Sequence, residues 1–582
     1  MNGPHVRKPG NVESVPGFLL AALLLTAFFL QLFFSSRLKS PAWDEPGHIA
    51  SGVAYVQRGS LAVNPQHPPL LKVLSGLSLT LAGVRWPAVP QAEALLRGAG
   101  QWQWSIGSLM LIQNDTDRAL QWARLPMMLV GLMGGLVLFL WTRQLAGSLA
   151  ALCALSLYVL DPTIAAHSIL VTLDVGLGAF TLLFLWCLWN YLRTPRLPML
   201  AISGLALGLA LCTKFSSLVL LPLAALLVIA GSYRREARVD AAPDAPCPCG
   251  SGKKFKNCHA LQKASRLDAQ WLIFCARSLA VLYVVALIVV TVLYRFHGPG
   301  AYWAGASSVN ADHDDSYLHY LAGNLAPSFS NYFAAAYLLK EPVAAIALAA
   351  TGLFFLLRDK AFPPRDKLFV LIPPVAIYVI HAWKADDIGV RYIIPCLPFT
   401  YLLGGIAAAR LIRTPRLAPR LAVAVLGAWS FVAAVGIYPD GLSYFNESAC
   451  LLTEPGKIGL DGGSRCGPSW LDDSNVDWGS GLKQAAAWLA RNAPGRSAQV
   501  DYFGSFPLVG YDAPLQEIEN AKMMFQPGPG LYFVSANVVA RNAAQVRAGF
   551  AGGDDWMSRV PPRAIIGHCL YLYDIPVRTG SP

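Results

Sequence analysis

Eleven stretches of this chain are apolar over about the 17 to 25 residues that a helix needs to cross ~30 Å of hydrocarbon. This pattern leaves few folds open. Lipid offers no hydrogen bonds, so a spanning segment must satisfy its own backbone, which only helices and closed barrels do. The runs are continuous rather than alternating, so they read as helices. They fall at Gly17–Phe34 and about 122–143, 148–165, 172–192, 197–213, 216–232, 271–294, 341–358, 368–383, 393–411 and 421–438. Charge is correspondingly scarce: 14% of the 582 residues are Asp, Glu, Lys or Arg, against roughly 25% in soluble domains. A soluble multidomain enzyme, a disordered chain and a small disulfide scaffold are excluded.

The net charge of +12 is explained by topology rather than by nucleic acid. The first run, preceded by Arg7 and Lys8, is too long for the apolar core of a signal peptide. It reads as an uncleaved anchor with a cytoplasmic N-terminus. Alternation from there puts Arg143, Arg193 and Arg196, Arg234 and Arg235, Arg358 to Lys367, and Arg410 to Arg420 on the cytoplasmic side. Every short inner loop is therefore basic, as the positive-inside rule requires.

The same alternation leaves loops 35–121, 295–340 and 384–392 outside, with everything after about 439. Leu70–Val84 is too short to span comfortably and reads as an interfacial helix. The last part of the chain regains ordinary polarity. DWGSGLKQAAAWLARNAPG there has helical spacing, while QVDYFGSF and GLYFVSANVV read as strands. The expected architecture is a mainly α polytopic membrane protein with a small extracytoplasmic C-terminal α/β domain. Its parts are 1–232, a first membrane module with a functional outer loop; 233–270, a cytoplasmic insertion; 271–438, a second membrane module; and 439–582, the outer domain.

The insertion contains APCPCGSGKKFKNCHA, in which Cys247, Cys249, Cys258 and His259 form a C-x-C-x8-C-H set. Thiolates and imidazole are the ligands that tetrahedral zinc prefers, and a Gly-rich turn lets the chain fold back between them. In a reducing compartment such clusters bind metal rather than form disulfides. The stretch resembles the SEC-C motif, a short zinc-binding element found at the C-terminus of the SecA translocation motor. All four positions are protein ligands, so the expected Zn2+ is structural, and the knuckle is a candidate contact for a protein partner. Cys450 and Cys466 lie outside, where a disulfide is open to them, whereas Cys153, Cys187, Cys212, Cys275 and Cys396 fall in or near spans as packing residues.

On the outer side, Pro41-Ala42-Trp43-Asp44-Glu45-Pro46-Gly47-His48 follows the first span. Adjacent acids there suit a general base or a cation site, or simply a solvated loop. Asn64-Pro65-Gln66-His67-Pro68-Pro69 leads to Lys72 in the same loop. His167 to Asp174 brings another carboxylate to the same surface, where Asp174 suits a helix cap as well as a site. Asp312-His313-Asp314-Asp315 reads as an exposed acidic turn. Asp473, Asn475, Asp477 and Trp478 suit either a sugar contact or a helix start.

Together these residues resemble polytopic glycosyltransferases of the GT-C fold, in the branch of the protein O-mannosyltransferases and the aminoarabinose transferase that modifies lipid A. The acidic pair after the first span matches Asp44-Glu45, the His-Pro-Pro element matches His67-Pro68-Pro69, and the Thr-x-Asp element matches Thr172-Leu173-Asp174. Gly389-Val390-Arg391-Tyr392, continuing to Pro395, Pro398 and Phe399, is similar to a GxRYxxPxxPF segment of bacterial members. The resemblance extends over roughly 15–480; the SEC-C insertion departs from the family pattern.

The resemblance implies transfer of a sugar from a polyprenyl-phosphate donor to a hydroxyl of a protein, lipid or glycan at the outer face of a bacterial inner membrane. Asp44 is then the candidate general base, with Glu45 and Asp174 orienting acceptor, sugar or a cation. The leaving phosphate calls for cations. Arg391 is the first candidate, beside Tyr392, followed by Lys72, Lys214, Lys340 and Lys384, all on the outer side against the charge trend. An interfacial lysine reaching for water is the plain alternative for each lysine. His67 joins the substrate-binding set, and a divalent cation at the site is left open. A transporter or flippase is the rival from another class; it calls for an internal repeat and mid-bilayer charges. No repeat is visible, and the carboxylates gather at one face.

Overall fold

The computed structural model describes residues 14–232, 269–311, 316–518, 526–549 and 555–576. Cys247, Cys249, Cys258, His259 and the Asp312–Asp315 turn lie outside the described residues.

Helix α1 (Ser14–Ser36) is followed by α2 (Glu45–Arg58), α3 (Leu70–Leu81), α4 (Pro90–Leu96) and α5 (Gln103–Gln113). The next helices are α6 (Thr116–Ala146), α7 (Ser148–Val159), α8 (Pro162–Ser168), α9 (Asp174–Arg193), α10 (Leu197–Leu211) and α11 (Leu220–Ser232). Beyond the insertion come α12 (Ala269–Leu293), α13 (Gly298–Ala311), α14 (Tyr332–Lys340), α15 (Val343–Arg358), α16 (Pro364–Lys384), α17 (Leu397–Arg413) and α18 (Leu417–Gly436). Among the described residues, eight helices are long and apolar enough to cross a membrane, and ten if the pairs α7–α8 and α14–α15 each count as one bent span. The eleventh expected span is α10; its 15 residues reach only ~22 Å at 1.5 Å per residue.

Both bends follow from the sequence. At Asp161-Pro162 the Asp161 carboxylate accepts from Ile164 N–H (2.8 Å) and starts a new helix with proline at its first position, turning the axis by 65°. At Lys340-Glu341-Pro342 the proline ends α14, and α15 leaves at 112°. Between α1 and α6, helices α2, α3 and α5 are wedged together at glycines. A Cβ on Gly52 of α2 would lie 2.0 Å from the Lys72 carbonyl oxygen of α3, and one on Gly107 of α5 would lie 1.8 Å from that of Pro46. The expected interfacial helix is α3.

Residues 439–480 form short turns over the ends of the helices, where Cys450 and Cys466 are disulfide-bonded. Helix α19 (Ser448–Leu451) lies among them, and α20 (Leu482–Asn492) follows. A mixed five-stranded sheet completes the chain, ordered β4-β3-β5-β7-β6 from β3 (Ala498–Asp501), β4 (Leu515–Glu517), β5 (Gly530–Ser535), β6 (Ala564–Ile566) and β7 (Leu570–Ile575). Strands β1 (His319–Leu321) and β2 (Asn324–Ala326) form a separate hairpin before α14. β3 runs parallel to β4 and β5, and β7 antiparallel to β5 and β6. The GLYFVSANVV segment is strand only to Ser535; its hydroxyl accepts from Asn537 N–H (3.2 Å), and α21 (Ala536–Arg547) begins there. The sheet domain is seated on the chain between α1 and α2: Ser40 N–H donates to Ser480 O (3.1 Å) and Trp43 N–H to Trp478 O (2.8 Å).

Candidate active site

The two acids after the first span face opposite ways. Glu45, fully buried, accepts from Arg124 Nε (2.9 Å) and Nη2 (2.6 Å), from Ala42 N–H (2.8 Å) and from Val171 N–H (2.9 Å). Arg124, equally buried on α6, also donates to the carbonyls of Ser36, Lys39 and Ser40. Glu45 was expected to orient acceptor, sugar or cation; its lone pairs are instead spent on tying the loop after α1 to α6 and to the segment before α9. Asp44 stands just before α2, makes no capping bond there, and keeps 28% of its side chain exposed. It lines a cleft of about 130 Å³ with His48, Asn64, Gln66, His67, Gln103 and Trp104.

Arg391 meets it from the other half of the chain. Its Nη1 is 3.2 Å from Asp44 Oδ2, and its guanidinium lies 4.2 Å from the centre of the Trp478 ring. Among the described residues, Arg391 Nε and His167 Nδ1 are buried nitrogens without a hydrogen-bond partner. Beside this pair, Lys214 Nζ binds Asp174 Oδ1 at 2.6 Å and sits 4.2 Å from the centre of the Tyr392 ring. Two carboxylates and two cations thus converge from the residue before α2, the start of α9, the segment after α10 and the turn before α17.

The remaining basic candidates separate by what they bind. Lys72 is buried and donates to Asn64 O (2.7 Å), Asn64 Oδ1 (3.1 Å) and His67 O (2.5 Å). It fixes the loop that carries His67 instead of presenting its ammonium to the cleft, and burial pulls it down to about 7. Lys340 is buried and donates to Leu442 O and Asn475 O, both at 2.7 Å, so it anchors the 439–480 turns from behind. Lys384 lies at the exposed end of α16 against the Trp383 ring and is not brought to the Asp44–Arg391 pair. His67 is in the cleft, its ring 5.2 Å from that of His48. Burial, reinforced by His48 and by the charges of Lys72, Lys214 and Arg391, holds His67 well below the usual imidazole range. Burial also lowers His48, against the opposing pull of Asp44.

Residues 473–479 align the pair. Asn475 Oδ1 accepts from Val390 N–H (2.9 Å), and Ser474 Oγ donates to Ile388 O (2.7 Å), which fixes the backbone on either side of Gly389 and aims Arg391. Trp478 packs its ring on Arg391, while its carbonyl holds Trp43, the neighbour of Asp44. None of these contacts starts the helix that follows: α20 begins at Leu482 after Gly481, with no side-chain cap. Arg124 and the aligning function of Asn475 carry no local signal in sequence, since their partners Glu45 and Val390 lie 79 and 85 positions away. Among the described residues no group of three His, Cys, Asp or Glu side chains converges as a metal site.

Residues 101–241 match the family described as dolichyl-phosphate-mannose-protein mannosyltransferase, and residues 245–261 match the SEC-C motif. Asp174 and Lys214 fall inside the first match; Asp44 and Arg391 fall outside it. Among solved structures, the chain is similar to ArnT from Cupriavidus metallidurans bound to undecaprenyl phosphate, at 14% identity over 98% of this chain and 100% of that one, with a TM-score of 0.46. It is also similar to the Archaeoglobus fulgidus oligosaccharyltransferase in its apo form, at 13% identity over 96% and 75%, with a TM-score of 0.41. AglB from the same organism, in complex with an inhibitory peptide and a dolichol-phosphate, matches at 13% identity over 94% and 73%, with a TM-score of 0.43. No curated protein matches the chain. The chain is a multi-pass membrane protein, mainly α with a small C-terminal sheet, that resembles GT-C glycosyltransferases and carries an inserted SEC-C motif.

Proposed function

We propose that this protein is a membrane glycosyltransferase that moves a sugar from a polyprenyl-phosphate donor to an acceptor hydroxyl. The observation that carries the reading is the Asp44–Arg391 pair at the cleft: a carboxylate with an open face, 3.2 Å from a guanidinium stacked on Trp478. A donor phosphate competes with Asp44 for Arg391, so donor binding releases the carboxylate to act as base. Asp44 then takes the acceptor's proton as its oxygen bonds to the anomeric carbon, and the bond from that carbon to the phosphate oxygen breaks. Arg391, with Lys214 beside it, meets the charge that builds on the departing lipid phosphate. A single displacement of this kind inverts the anomeric centre. A polyprenyl tail dissolves only in the bilayer, which explains why such an enzyme is polytopic.

The active face is the periplasmic side of a bacterial inner membrane in this reading, with the N-terminus cytoplasmic. The Cys450–Cys466 disulfide, on the same side as Asp44 and the sheet domain, supports an oxidising compartment there. In the insertion, Cys247, Cys249, Cys258 and His259 hold a structural Zn2+, a reading supported by the SEC-C match.

The test is incubation of the purified protein with a panel of polyprenyl-phosphate sugars, scoring release of the lipid phosphate. Cleavage of one donor supports the reading. A panel left intact while the protein moves a lipid-linked substrate across vesicles refutes it.

A further inference from the structure

The disulfide-closed turn after α18 exposes an unusual set of side chains. Within ten residues, Leu451 (62%), Leu452 (68%), Ile458 and Leu460 (73%) are all open, although this part of the chain lies among polar turns. The turn does not rise away from the membrane helix. Gly436, the last residue of α18, is packed so closely that a Cβ there would lie 2.0 Å from the Leu460 carbonyl oxygen. Trp429, seven residues earlier, donates its indole N–H to Glu447 Oε1 at 2.7 Å. At 1.5 Å per residue, those two contacts put the turn alongside about 10 Å of the end of α18.

That stretch of α18 is itself a lipid-facing surface. Its span is only 17% buried, and Phe431 and Val435 are more than half exposed. Trp429 and Tyr438, both partly exposed, are the residue types that settle at the boundary of acyl chains and headgroups. The four aliphatic side chains therefore continue an apolar surface already committed to lipid. Cys450–Cys466 closes the turn at its base, and Asn446 pins its start through Leu338 O (2.6 Å) and Glu341 O (2.7 Å), so the leucines are held out by a preformed scaffold. We propose that the 450–466 turn dips into the leaflet on the side of the C-terminal domain and buries Leu451, Leu452, Ile458 and Leu460 among lipid chains. The partner is the bilayer lipid itself. This anchor does not depend on the reaction at Asp44.

The test uses the full chain reconstituted in phosphatidylcholine nanodiscs, with a fluorescent amino acid at position 452 or 460 and, as a control, at position 509, where Val509 is exposed on the sheet domain. Dibromo-phosphatidylcholine quenches from within the bilayer, and iodide quenches from water. The expected result is severalfold stronger quenching by the brominated lipid at 452 and 460 than at 509, with protection from iodide. Quenching by iodide equal to that at 509, without lipid quenching, overturns the proposal. Protection from both quenchers overturns it as well, because the turn is then covered by protein. A single size-exclusion peak and a wild-type thermal unfolding midpoint for each labelled protein report folding independently of both the quenching and any activity.

Discussion

Removing Arg124 is the sharpest structural perturbation available in this fold. Arg124→Met keeps the bulk of the side chain but leaves the fully buried Glu45 carboxylate with only the N–H groups of Ala42 and Val171. Stranding one partner of a buried ion pair costs about 3–5 kcal/mol, or roughly two to three and a half powers of ten in the folding equilibrium. The carbonyls of Ser36, Lys39 and Ser40 lose their donor in the same substitution, which places the effect toward the upper end. Glu45→Met strands the guanidinium in the same way. The double variant Glu45→Met/Arg124→Met buries no unpaired charge, so a double-mutant cycle should return a coupling of about 2–3 kcal/mol. The assay is unfolding of the purified protein in mixed detergent micelles. Asp44→Asn, one residue away, should stay within about 1 kcal/mol of wild type because its pair is partly exposed. Single Arg124 and Glu45 variants as stable as wild type, together with lost turnover, would refute the assignment of Glu45 to structure.

Arg391→Ala should lower donor kcat/KM by about ten- to a hundredfold, the ~1.5–3 kcal/mol of a hydrogen bond to charge; Arg391→Lys should not restore it, since an ammonium supplies neither the fork nor the stacking on Trp478. Asn475→Ala frees Val390 N–H and should lower kcat more than it raises donor KM, because it misaims Arg391 without removing it; steady-state kinetics against Asn475→Asp checks this. His568 lies between Asp440 (2.7 Å) and Asp461 (3.4 Å) at the seat of the sheet domain, and these carboxylates outweigh burial and raise it to about 9. Because its folded value lies above the unfolded one, this contribution to stability is complete below about 6.5 and is lost as pH rises through about 9. Thermal scans from pH 6 to 10 should show that slope, and His568→Gln should flatten it. A peptide covering 240–265 should bind Zn2+ tightly and release it to a chelator, measured by metal analysis.

The spans were legible because apolar length is a local property, and each of the eleven runs meets a helix. The two bends were written at Asp161-Pro162 and Glu341-Pro342, although a hydropathy run cannot show an axis turning through 112°. Asp44, His67, Asp174, Lys214, Arg391 and Tyr392 could be selected from the family resemblance and from their expected side of the membrane, and the fold brings them together. What sequence could not show was that Glu45, placed beside Asp44 as an orienting residue, is tied up by Arg124, 79 residues away. Nor could it show that Lys72 and Lys340 are consumed by backbone carbonyls, because those acceptors come from chain turns with no residue signature. The strand itself was read, but its end at Ser535 and the start of α21 were missed for a related reason: a serine in an apolar run reads as a strand residue until its hydroxyl caps the next helix.

In the proposed reaction Asp44 performs the chemistry while Arg391 holds the donor's phosphate. The most direct measurement is single-turnover release of lipid phosphate by wild type and by Asp44→Asn in nanodiscs, with donor binding followed separately. The expected result is donor binding retained and release lost by at least ~10²-fold, the scale of a general base. Release by Asp44→Asn at the wild-type rate would contradict it.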